Sequence, residues 1–325
     1  MSSDPAASAK AKEIDPANIE RVNEVIAGLS APQKRISPKY LYDQKGSKLF
    51  DRLAGLPEYY LTRTELKILD THLDEMATHI GPRASVIEFG SGSGTKIRLL
   101  LDRLSDPAAY VPVDISSRYL LAMAEELAID YPHVTIRPVF ADFTRPFDLP
   151  TFATPPDRNL VFFPGSTIGN FDDSEACALL KVMRVEAKPG GALLIGVDLQ
   201  KDPDTIRAAY NDSQGLTAEF NLNVLRHLNR AFGANFELEH FRHEAIYDEA
   251  NGRIEMRLIS LRPQTVTLAE TLIPFERNEY IVTEHSRKYS LEAFANIARE
   301  AGFEFEQAWL DENALFSVQY LTVPA

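Results

Sequence analysis

The sequence predicts an α/β fold built on a mostly parallel sheet, and three observations predict it. Five strand-like apolar runs alternate with helix-like segments between residues 85 and 199. A glycine-rich turn, Gly90-Ser91-Gly92-Ser93-Gly94, follows the first of these runs directly. The chain then closes on a helix-like segment and two further strand-like runs, residues 290–323. Strands separated by helices imply right-handed β-α-β units, whose sheet is covered on both faces.

Taken in order, residues 1–15 are rich in Ala, Ser, Asp and Lys and predict a mobile tail. Residues 16–80 carry helical patterning, interrupted by a loop at Lys45-Gly46-Ser47. The five strands are read at 85–90, 109–115, 134–143, 159–167 and 191–199. The helices between them are IRLLLDRL, SRYLLAMAEELAID and EACALLKVMRVEA, each with apolar residues at helical spacing. Ser290 is placed to N-cap a helix through residue 301, ahead of Gly302. FEFEQAWL and LFSVQYLTV then predict a hairpin turning at Asp311-Glu312-Asn313. Residues 200–287 are too long for a connection in a compact domain. They predict an inserted α+β subdomain: a helical part at 206–232, strands from 236 onward and a turn at Asn251-Gly252.

The composition narrows the function. The chain has 325 residues, 45% of them hydrophobic, and a formal net charge of −13. That balance repels phosphate backbones and suits a small or cationic substrate better than nucleic acid. Cys177 is the only cysteine, so neither an internal disulfide nor a thiolate metal cluster is available. The N-terminus lacks the apolar core of a signal peptide, and no apolar run reaches membrane-spanning length. A cytoplasmic monomer without membrane or nucleic-acid partners is expected.

Alternate glycines let a backbone turn tightly and approach a ligand. The spacing here is G-x-G-x-G, with Glu88 two residues ahead of Gly90, and not the dinucleotide G-x-G-x-x-G. It favours S-adenosylmethionine (SAM), although another nucleotide or a purely structural turn also fits the pattern. A helix followed by a closing hairpin is the way seven-stranded methyltransferase sheets end. Asp114 stands at the end of the second strand, where a carboxylate can accept from both ribose hydroxyls. Asp142 and Phe143 end the third, as an acid and an aromatic ring suited to adenine. Lys96 opens the helix after the turn and is either a partner for the cofactor's carboxylate or a solvated lysine. Asn170, in the loop PGSTIGNF after the fourth strand, has the donors and acceptor to hold a substrate carboxylate or amine, or to cap a turn. Glu284 and Ser286 lie two apart on an extended segment and point to one face, with His285 facing the other way. His72, His79, His133, His227, His240 and His243 form no metal-binding pattern.

With these residues assembled, the chain resembles the SAM-dependent histidine-specific Nα-methyltransferases of the ergothioneine pathway. The likeness runs from about residue 36 to the C-terminus. It is carried by LYDQKGSKLFD, LPEYYLTRTE, IEFGSGSGTK, GSTIGNF, AYNDSQGLTAEFNLNVL, RIEMRL and VTEHSRK. The resemblance implies a class I, Rossmann-like, seven-stranded core at 61–199 and 288–325, with a substrate-binding subdomain at 16–60 and 200–287. It implies SAM contacts at Gly90, Gly92, Lys96, Asp114, Asp142 and Phe143. Tyr60, Asn170 and Tyr210 match positions that hold the amino acid's carboxylate and amine. Met256, Glu284 and Ser286, with His285 between the last two, match the imidazole side, and Tyr42 matches a tyrosine near the amine. Tyr42, Asn170 and Tyr210 are the catalytic candidates. No metal is implied, and the small-molecule substrates are L-histidine and its mono- and dimethyl forms.

Overall fold

The computed structural model describes residues 16–92, 94–115 and 117–325. The tail expected at 1–15 lies outside the described residues. Three helices come first: α1 (Pro16–Leu29), α2 (Gln44–Ala54) and α3 (Tyr60–Ile80). The alternating part follows: β1 (Ala84–Phe89), α4 (Thr95–Leu101), β2 (Ala109–Asp114), α5 (Ser117–Asp130), β3 (Thr135–Ile136), β4 (Val139–Phe140), β5 (Arg158–Phe163), α6 (Asp173–Ala187) and β6 (Ala192–Asp198). Then come α7 (Pro203–Tyr210), α8 (Leu216–Phe232), β7 (Phe241–Asp248), β8 (Arg253–Ser260), β9 (Gln264–Leu268), β10 (Thr271–Phe275) and β11 (Tyr280–Arg287). The chain ends with α9 (Leu291–Glu300), β12 (Glu304–Leu310) and β13 (Phe316–Thr322).

The main sheet has the order β12-β13-β6-β5-β1-β2-β3, with β4 also paired to β2. β1, β2, β5 and β6 run parallel, while β13 is antiparallel to β6 and to β12. β1 is flanked by β2 on one side and β5 on the other. Strand order therefore reverses there, and a crevice opens at the carboxyl ends of β1 and β5, where open α/β sheets bind ligands. Alternate strand residues, among them Ile87, Phe89, Val111, Val113, Val161, Phe163, Ile195 and Val197, pack against Leu180 and Met183 of α6 and Phe294 of α9. Each such side chain contributes roughly 1.5–3 kcal/mol through burial.

Four local expectations are corrected. Lys45-Gly46-Ser47 does not form a loop but opens α2. Asp43 Oδ1 accepts from the Gly46 N–H at 2.7 Å, and a Cβ on Gly46 would lie 1.8 Å from the Leu41 carbonyl oxygen. The glycine thus marks a close approach at a helix start. The third strand is broken into β3 and β4 at Arg137-Pro138, where the facing residue of β2, Pro112, has no N–H to give the ladder. The helical part of the insert is two helices. Asp212 separates them by accepting from the N–H groups of Gln214, Leu216 and Thr217 at the start of α8. His240 sits in a short 3-10 turn, Leu238–His240, and not on a strand.

Packing divides the chain into two compact units. The smaller holds the described residues up to Ser47, with Ala218–Glu244 and Arg257–Thr283. The larger holds Lys48–Thr217, Ala245–Met256 and Glu284–Ala325, and so the whole main sheet. Among the described residues no helix is long and apolar enough to cross a membrane.

Candidate active site

All but one of the candidate residues lie in the larger unit. The exception, Tyr42, belongs to the smaller, where its ring meets Phe220 edge-on at 5.4 Å.

At the end of β1 the chain turns through Gly90, Gly92 and Gly94 with φ of +76°, +47° and +74°. These left-handed conformations suit glycine, which leaves no side chain at those three positions. The Phe143 ring stands 3.5 Å from where a Cβ on Gly90 would sit. Ser91 is buried in the turn, and its hydroxyl has no hydrogen-bond partner among the described residues. Beneath it, buried Glu88 accepts from the Tyr110 hydroxyl. Burial pushes the Glu88 carboxyl up to about 8, against the pull of the Tyr110 hydrogen bond and nearby Lys96. Asp114 ends β2, half-buried. Asp142 closes the turn after β4 by accepting from the backbone N–H and hydroxyl of Thr144. A bare glycine cradle, an orphan hydroxyl, two strand-end carboxylates and an aromatic face fit an adenosyl cofactor bearing an amino-acid tail.

Lys96 is engaged inside the protein: its Nζ lies 2.5 Å from Oε2 of Glu65, an acid on α3 that is only 1% exposed. The same carboxylate accepts from the Gly165 N–H at 2.8 and 3.0 Å. Glycine at 196 makes room for it, since a Cβ there would fall 2.1 Å from Glu65 Oε1. Glu65 thereby ties the helix after the cofactor turn to the loop after β5. In that loop Gly165 and Ser166 are both left-handed, with φ of +84° and +56°. The Ser166 hydroxyl accepts from the backbone N–H of Asp198 at 2.9 Å. Asn170 ends the following 3-10 turn, half-buried, and its amide makes no hydrogen bond to a described residue.

The other end of the site is a buried network around Asp198, the last residue of β6. Asp198 is fully buried and accepts from the Tyr60 hydroxyl at 2.8 and 3.0 Å, from Lys201 at 2.6 Å and from Lys288 at 2.8 Å. Lys201 also donates to the Tyr60 oxygen at 2.7 Å. Lys288, fully buried, donates to Tyr210 at 3.0 Å and to Ser286 at 2.7 Å, and Tyr210 donates to Ser286 at 2.6 Å. Burial and Asp198 drive the Tyr60 hydroxyl far above the ordinary phenol range. Burial, with Glu284 and Asp198, does the same to Tyr210. Burial pushes Lys201 down to about 8, against the pull of Asp198.

Glu284 is 8% exposed, and its carboxyl takes no hydrogen bond from a described residue. Burial raises it to about 7, moderated by the Lys288 charge. Met256, on β8, is buried. His285 does not share the face of Glu284 and Ser286; its Nε2 lies 3.1 Å from Glu255, as strand alternation requires. Sequence reasoning missed Glu65, Asp198, Lys201 and Lys288. Two signals were present: Asp198 ends a strand just as Asp114 does, and Lys288 continues the alternation of Glu284 and Ser286. In the smaller unit, Glu237, Glu239 and His240 bring ligand-type atoms within 4.8 Å of one another. Glu237 and Glu239 are exposed and His240 is half-buried, its Nδ1 3.0 Å from Glu237, and His243 is not one of the group.

A reversed-order parallel sheet with a bare glycine turn and strand-end acids at its crevice defines a Rossmann-like, SAM-dependent methyltransferase. The chain belongs to the family described as histidine-specific, SAM-dependent methyltransferases, whose sequence model matches residues 21–323. It is 37% identical over 294 residues to the histidine N-alpha-methyltransferase of Mycolicibacterium smegmatis, covering 89% of this chain and 90% of that protein. It is 34% identical over 278 residues to ergothioneine biosynthesis protein 1 of Neurospora crassa, covering 83% of this chain but 31% of that longer protein. A solved SAM-dependent methyltransferase from Clostridium acetobutylicum superposes with a TM-score of 0.48 at 12% identity, over 86% of this chain and 98% of the other.

Proposed function

We propose that this protein methylates the α-amine of L-histidine three times, giving the trimethylammonium betaine hercynine, a step of ergothioneine biosynthesis. The observation that carries the reading is the pairing of Glu284 and Ser286 on one buried face, beside Tyr210, in a chain of this family. When bound, SAM supplies an electrophilic methyl group. Gly90 and Gly92 give it room, Asp114 receives the ribose, Asp142 and Phe143 the adenine. Lys96 would pair with the cofactor's carboxylate, and its bond to Glu65 supports the turn's helix at the same time.

The amine must arrive without its extra proton, because an ammonium has no lone pair. Neither Tyr60 nor Tyr210 serves as a base, since burial keeps both phenols protonated. Proton loss to water is therefore assigned. The Tyr60 proton is committed to Asp198, and one of its lone pairs to Lys201. What it still offers is an acceptor, which suits the substrate's amine N–H better than its carboxylate. Asn170, with two N–H donors, suits the carboxylate. Much of the rate comes from holding sulfur, methyl and nitrogen in line with water excluded. Glu284 and Ser286 select the ring, since a site built to hydrogen-bond a polar group rejects side chains lacking it.

The test is mass spectrometry after incubation with SAM and an equimolar mixture of the twenty amino acids. Histidine alone gaining up to three methyl groups is the expected result. Methylation of tryptophan or another amine in its place would keep the cofactor and overturn the assignment of Glu284 and Ser286.

A further inference from the structure

Lys288 has no role in the reading above, yet it is fully buried in the larger unit. Its three N–H groups each have a partner: Asp198 at 2.8 Å, Tyr210 at 3.0 Å and Ser286 at 2.7 Å. An ammonium has three donors and no acceptor, so every one of these bonds has a fixed direction. Ser286 then receives a second proton from Tyr210, at 2.6 Å. A phenol is the more acidic hydroxyl of that pair and hence its natural donor. Both lone pairs of the Ser286 oxygen are thereby taken, and its own proton is left for a ligand. Two residues earlier on the same face is Glu284, a buried carboxyl that no described residue hydrogen-bonds. Residues i and i+2 of a strand are roughly 6.6 Å apart. A single five-membered ring with a hydrogen bond at each end spans that gap.

We propose that Lys288 is a positioning residue that sets the polarity of the side-chain pocket, holding Ser286 as a donor opposite the acceptor Glu284. The pocket then takes a five-membered heteroaromatic ring with one acceptor nitrogen and one N–H. Neutral imidazole meets both demands. A pyrrole lacks the acceptor and a thiazole lacks the N–H. This rests on histidine being the substrate.

The experiment compares wild type, Lys288→Met and Ser286→Ala. KM and kcat are measured for histidine, and inhibition constants for the tighter-binding of β-(thiazol-4-yl)- and β-(thiazol-5-yl)alanine (acceptor only, at one imidazole nitrogen position or the other) and of β-(pyrrol-2-yl)- and β-(pyrrol-3-yl)alanine (donor only, likewise). Binding of S-adenosylhomocysteine by calorimetry reports that each variant is folded. In Lys288→Met, KM for histidine and the thiazole inhibition constant should each rise about tenfold, the cost of one misdirected hydrogen bond to a ring nitrogen. The pyrrole constant should move less than about twofold, because no ring acceptor is there to lose. Ser286→Ala should show the same selective loss with the lysine in place. If Lys288→Met fails to bind S-adenosylhomocysteine, Lys288→Gln, which keeps N–H donors without the charge, is put through the same comparison. An equal weakening of all three ligands would mean a merely structural lysine and would overturn the proposal, as would no change. Wild type that leaves histidine unmethylated would instead overturn the functional reading on which the proposal stands.

Discussion

The two ends of the larger unit solve the problem of holding a ligand in opposite ways. The cofactor end is made by subtraction: left-handed glycines at 90, 92 and 94 and the unpartnered Ser91 hydroxyl leave backbone open beside two strand-end acids. The end proposed for the substrate is made by near-saturation, with Tyr60, Asp198, Lys201, Lys288, Tyr210 and Ser286 satisfying most of one another's donors and acceptors without an exposed member. An open turn tolerates change in its neighbours, whereas a saturated network fixes the direction of each hydrogen bond and fails as a unit. Glu65 is the join, with Lys96 of the first region and the Gly165 loop of the second on one carboxylate.

The largest effect that contrast predicts comes from Asp198→Asn. The change leaves two buried lysines facing an amide. Unfolding by denaturant should show a loss of about 3–5 kcal/mol, the range for breaking a buried ion pair from one side. Asp114→Asn, at the end of a parallel strand by the cofactor turn, should mainly weaken SAM binding. Equal destabilisation by the two would erase the distinction between the regions. Next in size is Glu284→Ala, which should lower kcat/KM for histidine about ten- to a hundredfold, as expected for the loss of a charge-assisted contact. SAM affinity, read by calorimetry, should stay unchanged. A parallel fall in SAM affinity would mean that the two regions are one.

Both regions carry a buried carboxyl with a raised pKa, and this gives a pH test. The folded protein keeps the Glu284 proton up to about 7, and the unfolded chain releases it near the ordinary glutamate value of 4.5. Between those values the folded state binds more protons, so stability falls as pH rises. Glu88 has the same sign and extends the fall to about 8. Glu284→Gln removes only its own share. It should match wild type near pH 4.5 and exceed it at pH 8 by roughly 1–3 kcal/mol. Thermal unfolding at the two pH values checks this, and a variant less stable at pH 8 would contradict the burial of an unpartnered carboxyl.

The cofactor end was legible in the residues themselves because its determinants are local. Glycine spacing and strand-end acids lie within a few residues of the elements that place them. Gly46 misled for a related reason: a glycine announces close backbone approach, but not whether a loop or a helix start makes it. The break in the third strand was not legible, because the missing donor, Pro112, belongs to the strand beside it. The substrate end draws on positions 60, 198, 201, 210, 284, 286 and 288, which only the fold brings together. Strand alternation had already put Glu284 and Ser286 on one face and resemblance added Tyr60 and Tyr210, whereas Asp198, Lys201 and Lys288, which touch other protein side chains, went unseen. A further prediction keeps to the local end. Gly90→Ala should cost about 1–2 kcal/mol of left-handed strain. With its methyl 3.5 Å from Phe143, it should also weaken SAM binding measurably by calorimetry.

His285 gives the smallest effect and the sharpest check on strand geometry. It sits between two proposed substrate residues, and adjacency in sequence alone would give it a share in binding. On β11, however, side chains alternate, and its ring meets Glu255 at 3.1 Å on the face opposite to Glu284 and Ser286. With the His285 end half-exposed and open to water, such a pair contributes about 0–1 kcal/mol. His285→Ala should therefore leave KM for histidine within about threefold, with a stability change no larger than that pair. A tenfold rise in KM with unchanged stability would place the imidazole of the protein in the pocket. The alternation that puts Glu284, Ser286 and Lys288 on one face would then be wrong, and with it the polarity assigned to Ser286.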